Sequence, residues 1–87
     1  MQTQWIKTPD SLIRAQTVRA VFVETVAENL PAPYFLLKTN QGSFYRSGDK
    51  ALILFLRARL ERFLISGEER LFDFAAVVQD FERQKLN

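Results

Sequence analysis

Chemistry in this chain would have to come from carboxylates, hydroxyls and cationic side chains, because it contains no His and no Cys. That removes the commonest general base, the thiol nucleophile and most zinc sites. The ten carboxylates do not fall into a paired motif on one apolar face. Glu68-Glu69 reads as a solvated first turn, and Asp49 and Asp73 stand where helix caps belong. Ser11, Ser43, Ser47 and Ser66 all lie in predicted turns with no imidazole to activate them. Three glycines do not make a phosphate-binding loop. The expectation is a protein that is not an enzyme and has no catalytic residue, cofactor or metal.

The cations suggest a different chemistry, in which aromatic rings stack on bases while cations meet phosphates. Tyr34, Lys38, Phe44 and Arg46 fall on one face of a predicted hairpin, with Arg19 on the neighbouring strand. Arg outnumbers Lys eight to four, which suits bidentate phosphate contacts. Glu24, Glu28, Glu61, Glu68, Glu69 and Glu82 offset them, leaving a net charge of only +2. A nucleic-acid face for RNA or single-stranded DNA is therefore the alternative reading.

The leading reading is a protein interface. Asp49–Ile65 (DKALILFLRARLERFLI) is long enough for four helical turns and apolar on nearly every side in its first half. With a second amphipathic helix after it, the chain offers more apolar surface than three strands can cover. Exposed apolar patches of that kind usually mark a partner site. Leu54, Phe55, Phe72 and Phe74 are the candidate interface, with Arg57 and Arg62 as its rim, and a homodimer or another protein is the expected partner. The competing possibility is that the two helices cover each other and these residues are core.

These side chains must be positioned by a small scaffold. Eighty-seven residues, 47% hydrophobic and 25% charged, describe one globular domain over residues 1–87, with no linker or repeat. Gln4-Trp5-Ile6-Lys7 can form a short edge strand, stopped by Pro9 in the turn Thr8-Pro9-Asp10-Ser11. Leu12–Arg14 is extended or irregular, and Ala15–Thr17 suits a single tight turn. Val18–Val26 reads as a strand from its β-branched and aromatic residues, with a helix ending near Asn29 as the alternative. Its alternation places Val18, Ala20 and Phe22 on one face, with Arg19, Val21 and Val23 on the other. Ala27–Pro33 is a connection.

Tyr34–Thr39 and Ser43–Ser47 flank Asn40-Gln41-Gly42, the chemistry of a G1-bulge hairpin. If Thr39 faces Ser43, Leu37 sits opposite Tyr45, and Phe44 and Arg46 join Tyr34, Leu36 and Lys38 on the other face. In the long helix Leu52, Ile53, Leu56, Leu60, Phe63 and Leu64 form the stripe for the sheet, and Gly67 ends it. Ser66–Glu69 or Asp73 starts a last helix with Phe74, Ala75, Val78 and Phe81 on its apolar line, fraying over Gln84–Asn87.

The predicted fold is therefore α+β: an antiparallel β-meander of three strands, or four with the N-terminal segment, followed by two C-terminal helices, the first packed on the sheet. The longest apolar run, Ala51–Leu56, is far below the ~20 residues that span a bilayer. The last helix mixes Asp80 and Glu82 with Arg83, so no membrane partner is expected. No secretory signal is visible at Met1, and a cytoplasmic location is the expectation.

Overall fold

The computed structural model describes residues 3–25 and 33–86. In chain order they form β1 (Trp5–Lys7), β2 (Leu12–Arg14), a 3₁₀ turn at Ala15–Thr17, β3 (Val18–Glu24), β4 (Tyr34–Thr39), β5 (Gly42–Ser47), α1 (Lys50–Ser66), β6 (Leu71–Asp73) and α2 (Phe74–Leu86). The class is α+β, with an antiparallel meander β3-β4-β5 and two C-terminal helices, the first packed on that sheet. Val18–Glu24 is strand, not helix. The end of that segment at Val26, most of the Ala27–Pro33 connection and the terminal Asn87 lie outside the described residues.

The N-terminal segment does not add a fourth strand to the meander. Nor is it an edge strand: Trp5–Lys7 forms the centre of a second sheet, in the order β2-β1-β6, antiparallel to β2 and parallel to β6. The Pro9-Asp10 loop closes the β1–β2 hairpin: the Thr8 amide donates to the Ser11 carbonyl (2.9 Å), and the Ser11 amide to Thr8 Oγ1 (3.0 Å). At the other end, the Gln4 side-chain amide donates to the carbonyls of Phe63 (2.8 Å) and Glu69 (3.1 Å). One side chain thus ties the strand to the last turn of α1, where carbonyls lack helical partners. Beside it, the Trp5 amide reaches the Arg70 carbonyl at 2.7 Å, which draws Leu71–Asp73 into strand ahead of the last helix.

The long helix buries Leu52, Ile53, Leu56, Leu60 and Phe63, the expected stripe, while Leu64 stays half-buried. Gly67 closes it at φ 68°, a left-handed conformation that costs glycine little. Asp49 occupies the N-cap position without capping by its side chain; its carboxylate meets Lys85 Nζ at 3.4 Å. Asp73, not Ser66, starts the last helix, because its Oδ1 accepts the Ala75 amide at 3.0 Å.

Phe74 then faces inward, with its ring centroid 5.5 Å from Phe35, 4.6 Å from Phe44 and 4.9 Å from Phe72. It joins both sheets in one core: Ile6 and Phe72 from the small sheet, Phe35 and Leu37 from the large one, and the helical stripe between them.

Candidate functional site

The register of the meander decides which side chains can meet a partner. Across the three strands the rows are Ala20–Lys38–Ser43, Val21–Leu37–Phe44, Phe22–Leu36–Tyr45, Val23–Phe35–Arg46 and Glu24–Tyr34–Ser47. Alternation sends the second and fourth rows inward onto α1 and the other three outward. Phe35 and Leu37 are fully buried, whereas Phe22 is 47% and Tyr45 57% exposed.

Two local features set this register. At the hairpin, Thr39 pairs with Gly42, leaving only Asn40 and Gln41 in the loop, so β5 is displaced by one residue from the expected Thr39–Ser43 pairing. Gly42 adopts φ 150°, where a side chain would be strained, and Thr39 Oγ1 bonds both the Gln41 amide and the Gly42 carbonyl. A one-residue slip exchanges faces. Phe44 therefore points inward, with its ring 4.6 Å from that of Phe74, and Tyr45 points outward. The exchange suits both residues, since the phenol hydroxyl stays in water while the plain ring is buried.

The second feature is a bulge between Val18 and Ala20 in β3, which makes Arg19 the extra residue. Val18 joins Val21 and Val23 against the core, correcting the face expected from simple alternation. Arg19 is exposed at the bulge, where its guanidinium hydrogen-bonds Asn40 Oδ1 at the hairpin tip.

The proposed nucleic-acid face is thereby divided. Tyr34 and Lys38 are on the outer face, Arg19 is at its corner, and Phe44 and Arg46 are on the inner one. Arg46 Nε is buried with no hydrogen-bond partner among the described residues.

On the outer face Tyr34 and Tyr45 stack at 5.6 Å, and Lys38 Nζ lies 5.5 Å from the Phe22 ring centre. The result is an apolar band, Phe22–Leu36–Tyr45, running across all three strands. Along the strands, Lys38 and the Arg19 corner lie on one side of it and Glu24 on the other.

The helical candidates also separate. Phe72 and Phe74 are core residues, 4% and 2% exposed, and present no surface to a partner. Phe55 is half-buried, with its ring 5.3 Å from Phe81 of α2 and the Arg59 guanidinium over it at 5.4 Å. Arg57 pairs with Glu61 at 3.0 Å along the helix surface, and Arg62 is exposed. Leu54, 41% exposed, stays available; with Ala51, Phe55 and Phe81 it lines an apolar groove of about 560 Å³ beside the Asp49–Lys85 pair. The two helices thus cover much of each other, with Arg59–Asp80 at 3.3 Å bridging them.

A third apolar surface lies on the small sheet, where Trp5 sits between Leu71 and Arg14, whose guanidinium stacks over the indole at 5.4 Å, and the exposed Leu12 pairs with Lys7. Each strand contributes only three residues there, so it is the smaller of the two sheet faces. Between the sheets a cleft of about 590 Å³ is lined by Trp5, Ser11, Arg14, Thr39 and Ser43 among others. Among the described residues, no three Asp or Glu side chains come together as a metal site, and no helix is long and apolar enough to cross a membrane.

No family model matches this chain, and no curated protein or solved structure matches it. Function must therefore be read from the surface itself. Sequence reasoning passed over Phe22, Leu36 and Tyr45 as site residues. The available signal was the Phe44-Tyr45 pair, in which tyrosine is the better residue to leave in water.

Proposed function

We propose that this chain is a non-enzymatic protein-interaction module whose contact surface is the outer face of β3-β4-β5. Phe22, Leu36 and Tyr45 form its centre, flanked by Tyr34 and Lys38. The observation that carries this reading is the exposure of two aromatic rings in one continuous apolar row across three paired strands. Contiguous apolar surface of this kind favours a partner, and rigid Tyr and Phe side chains on a sheet lose little entropy when covered. The helical groove at Leu54 supports the reading less, because Phe55 and Phe81 already satisfy each other. A cytoplasmic setting belongs to the same proposal, since a chain without cysteine gains nothing from an oxidising compartment.

Stacking of single-stranded nucleic acid on Tyr34, Tyr45 and Phe22 is the competing use of the same face. Lys38 and Arg19 are the cations at its edge, and Glu24 opposes them at the other end, which disfavours a phosphate backbone.

A photo-reactive benzophenone side chain placed at position 45 separates these readings, with position 54 as the control. Irradiation in the cell of origin should give a protein adduct of one defined mass from position 45, abolished by Phe22→Ser, and none from position 54. A nuclease-sensitive adduct would transfer the face to nucleic acid. Adducts from position 54 alone would move the interface to the helical groove.

A further inference from the structure

The cleft between the two sheets has strand edges for walls. Side chains along a strand alternate between its faces, so a cleft that meets successive residues meets the strand's edge. Here the runs are Leu12-Ile13-Arg14 of β2 and Gly42-Ser43-Phe44 of β5. Each is an outermost strand of its sheet. We infer that this cleft is a slot for an extended peptide segment of a partner protein, which enters as a strand between the β5 and β2 edges and carries an acidic residue for Arg14. The slot is separate from the Phe22–Leu36–Tyr45 face, so neither assignment rests on the other.

The ladder positions identify the backbone groups that await such a strand. In an antiparallel pair, hydrogen-bonded positions alternate with positions whose amide and carbonyl point away from the partner strand. The Thr8 amide bonds the Ser11 carbonyl and the Ala15 amide the Gln4 carbonyl, which puts Leu12 and Arg14 at outward positions of β2. The Gly48 amide bonds the Pro33 carbonyl, which does the same for Ser43 and Tyr45 of β5. Of these outward groups only the Arg14 carbonyl has a partner among the described residues, the Thr17 hydroxyl at 2.7 Å. Exposed edges are usually blunted by bulges, prolines or short length, and the opposite edge of the large sheet has its bulge at Arg19. The β5 edge has neither device: it runs six residues in unbroken register without proline.

The cleft also sets the size and composition of its occupant. Its volume of about 590 Å³ holds roughly three or four residues of strand, taking ~3.4 Å of rise, ~4.8 Å of strand spacing and ~10 Å of thickness for each. Inward side chains of that strand meet Ile13 and Phe44, which pack against the core, and should be apolar. Outward ones lie beside Arg14, whose guanidinium stacks on Trp5 and has no acidic partner among the described residues. Main-chain bonds supply the affinity of strand addition, and alternate side chains supply its selectivity.

The probe is a capped pentapeptide of threonine, valine, glutamate, valine and threonine in that order, with lysine in place of glutamate in a second peptide. Each is titrated into the isotope-labelled full chain and followed by amide chemical shifts. The Leu12, Arg14 and Ser43 amides should shift with the glutamate peptide, with a dissociation constant on the order of 10⁻⁴ M for so small a contact. The lysine peptide should bind about tenfold more weakly, and Arg14→Glu should reverse that preference. Leu12→Pro removes an outward amide at the first position of β2, where proline is tolerated. It should weaken binding about three- to tenfold relative to Leu12→Ala, which keeps that amide. Far-UV circular dichroism checks that the variants fold, and Arg14→Glu carries the test if the proline variant does not.

No shift at these amides with about 2 mM peptide overturns the inference. So does equal weakening by Leu12→Pro and Leu12→Ala, which would mean that the main chain is not being read. Equal binding of acetyl-glutamate amide alone would overturn it in favour of a small-anion site. Shifts confined to Phe22, Leu36 and Tyr45 would put the peptide on the outer sheet face, removing the slot and leaving that face standing.

Discussion

Replacing Phe74 with Ala distinguishes a core residue from an interface residue most sharply, because sequence reasoning nominates Phe74 for a partner and the fold encloses it. Its ring is 2% exposed and touches three others: Phe35, Phe44 and Phe72. Truncation removes the transfer free energy of a buried benzyl group and leaves a cavity between the two sheets, a loss of about 3–5 kcal/mol. A domain of this length is stable by roughly 4–13 kcal/mol, so the variant should be near or past the limit of folding. Phe74→Leu keeps most of the volume and should cost roughly 1–2 kcal/mol, measurable even if the Ala variant does not fold.

Urea unfolding followed by circular dichroism reads both. With a slope near 1–1.5 kcal/mol per molar, the Ala variant's midpoint should fall by about 2–5 M and the Leu variant's by about 0.7–2 M. A midpoint that moves less than ~0.3 M for Ala would mean that Phe74 is not enclosed, returning Phe72 and Phe74 to the list of interface residues. A change in oligomeric mass without a change in stability would carry the same message.

Two further substitutions probe the joints of the fold. Arg46→Met should be neutral or mildly stabilising in the same assay, because it removes a buried Nε that has no partner among the described residues while keeping the aliphatic stem; a loss above ~2 kcal/mol would show that the guanidinium is held by contacts that matter. Gln4→Ala should cost about 0.5–1.5 kcal/mol by removing its two bonds, since the Phe63 carbonyl keeps the Ser66 hydroxyl and the Glu69 carbonyl is exposed to water. It should also accelerate hydrogen exchange at the Trp5 amide, and unchanged exchange there would show that the β1–β6 junction does not depend on this side chain.

Much of the scaffold was legible in the residues, for identifiable reasons. The helical stripe from Leu52 to Phe63, the stop at Gly67, the turn at Thr8–Ser11 and the existence of a hairpin at Asn40-Gln41-Gly42, though not its Thr39–Gly42 closure, each follow from local periodicity or turn chemistry. The parallel pairing of Trp5–Lys7 with Leu71–Asp73 did not, because it joins segments more than sixty residues apart and rests on a side-chain staple from Gln4. Three residues of strand leave no periodic trace, and Leu71 and Phe72 look the same at the edge of a helix.

The site was less legible than the fold because it depends on single-residue register. The bulge at Arg19 and the Thr39–Gly42 closure each move side chains between faces, and together they put Val18, Phe44 and Arg46 inside and Tyr45 outside. Binary pattern alone cannot settle this, since both faces of the hairpin alternate apolar residues with cations. What breaks the tie is the capacity of the inner face: α1 and Phe74 leave room for Phe44 against Phe35 and Leu37, and a tyrosine there would need a buried partner for its hydroxyl. The aromatic rings are accordingly divided. Phe35, Phe63, Phe72 and Phe74 join the two sheets and the helices, while Phe22 and Tyr45 remain exposed on the outer face of β3-β4-β5. A core completed without those rings has no structural need of them, which is the physical reason for assigning them to a partner.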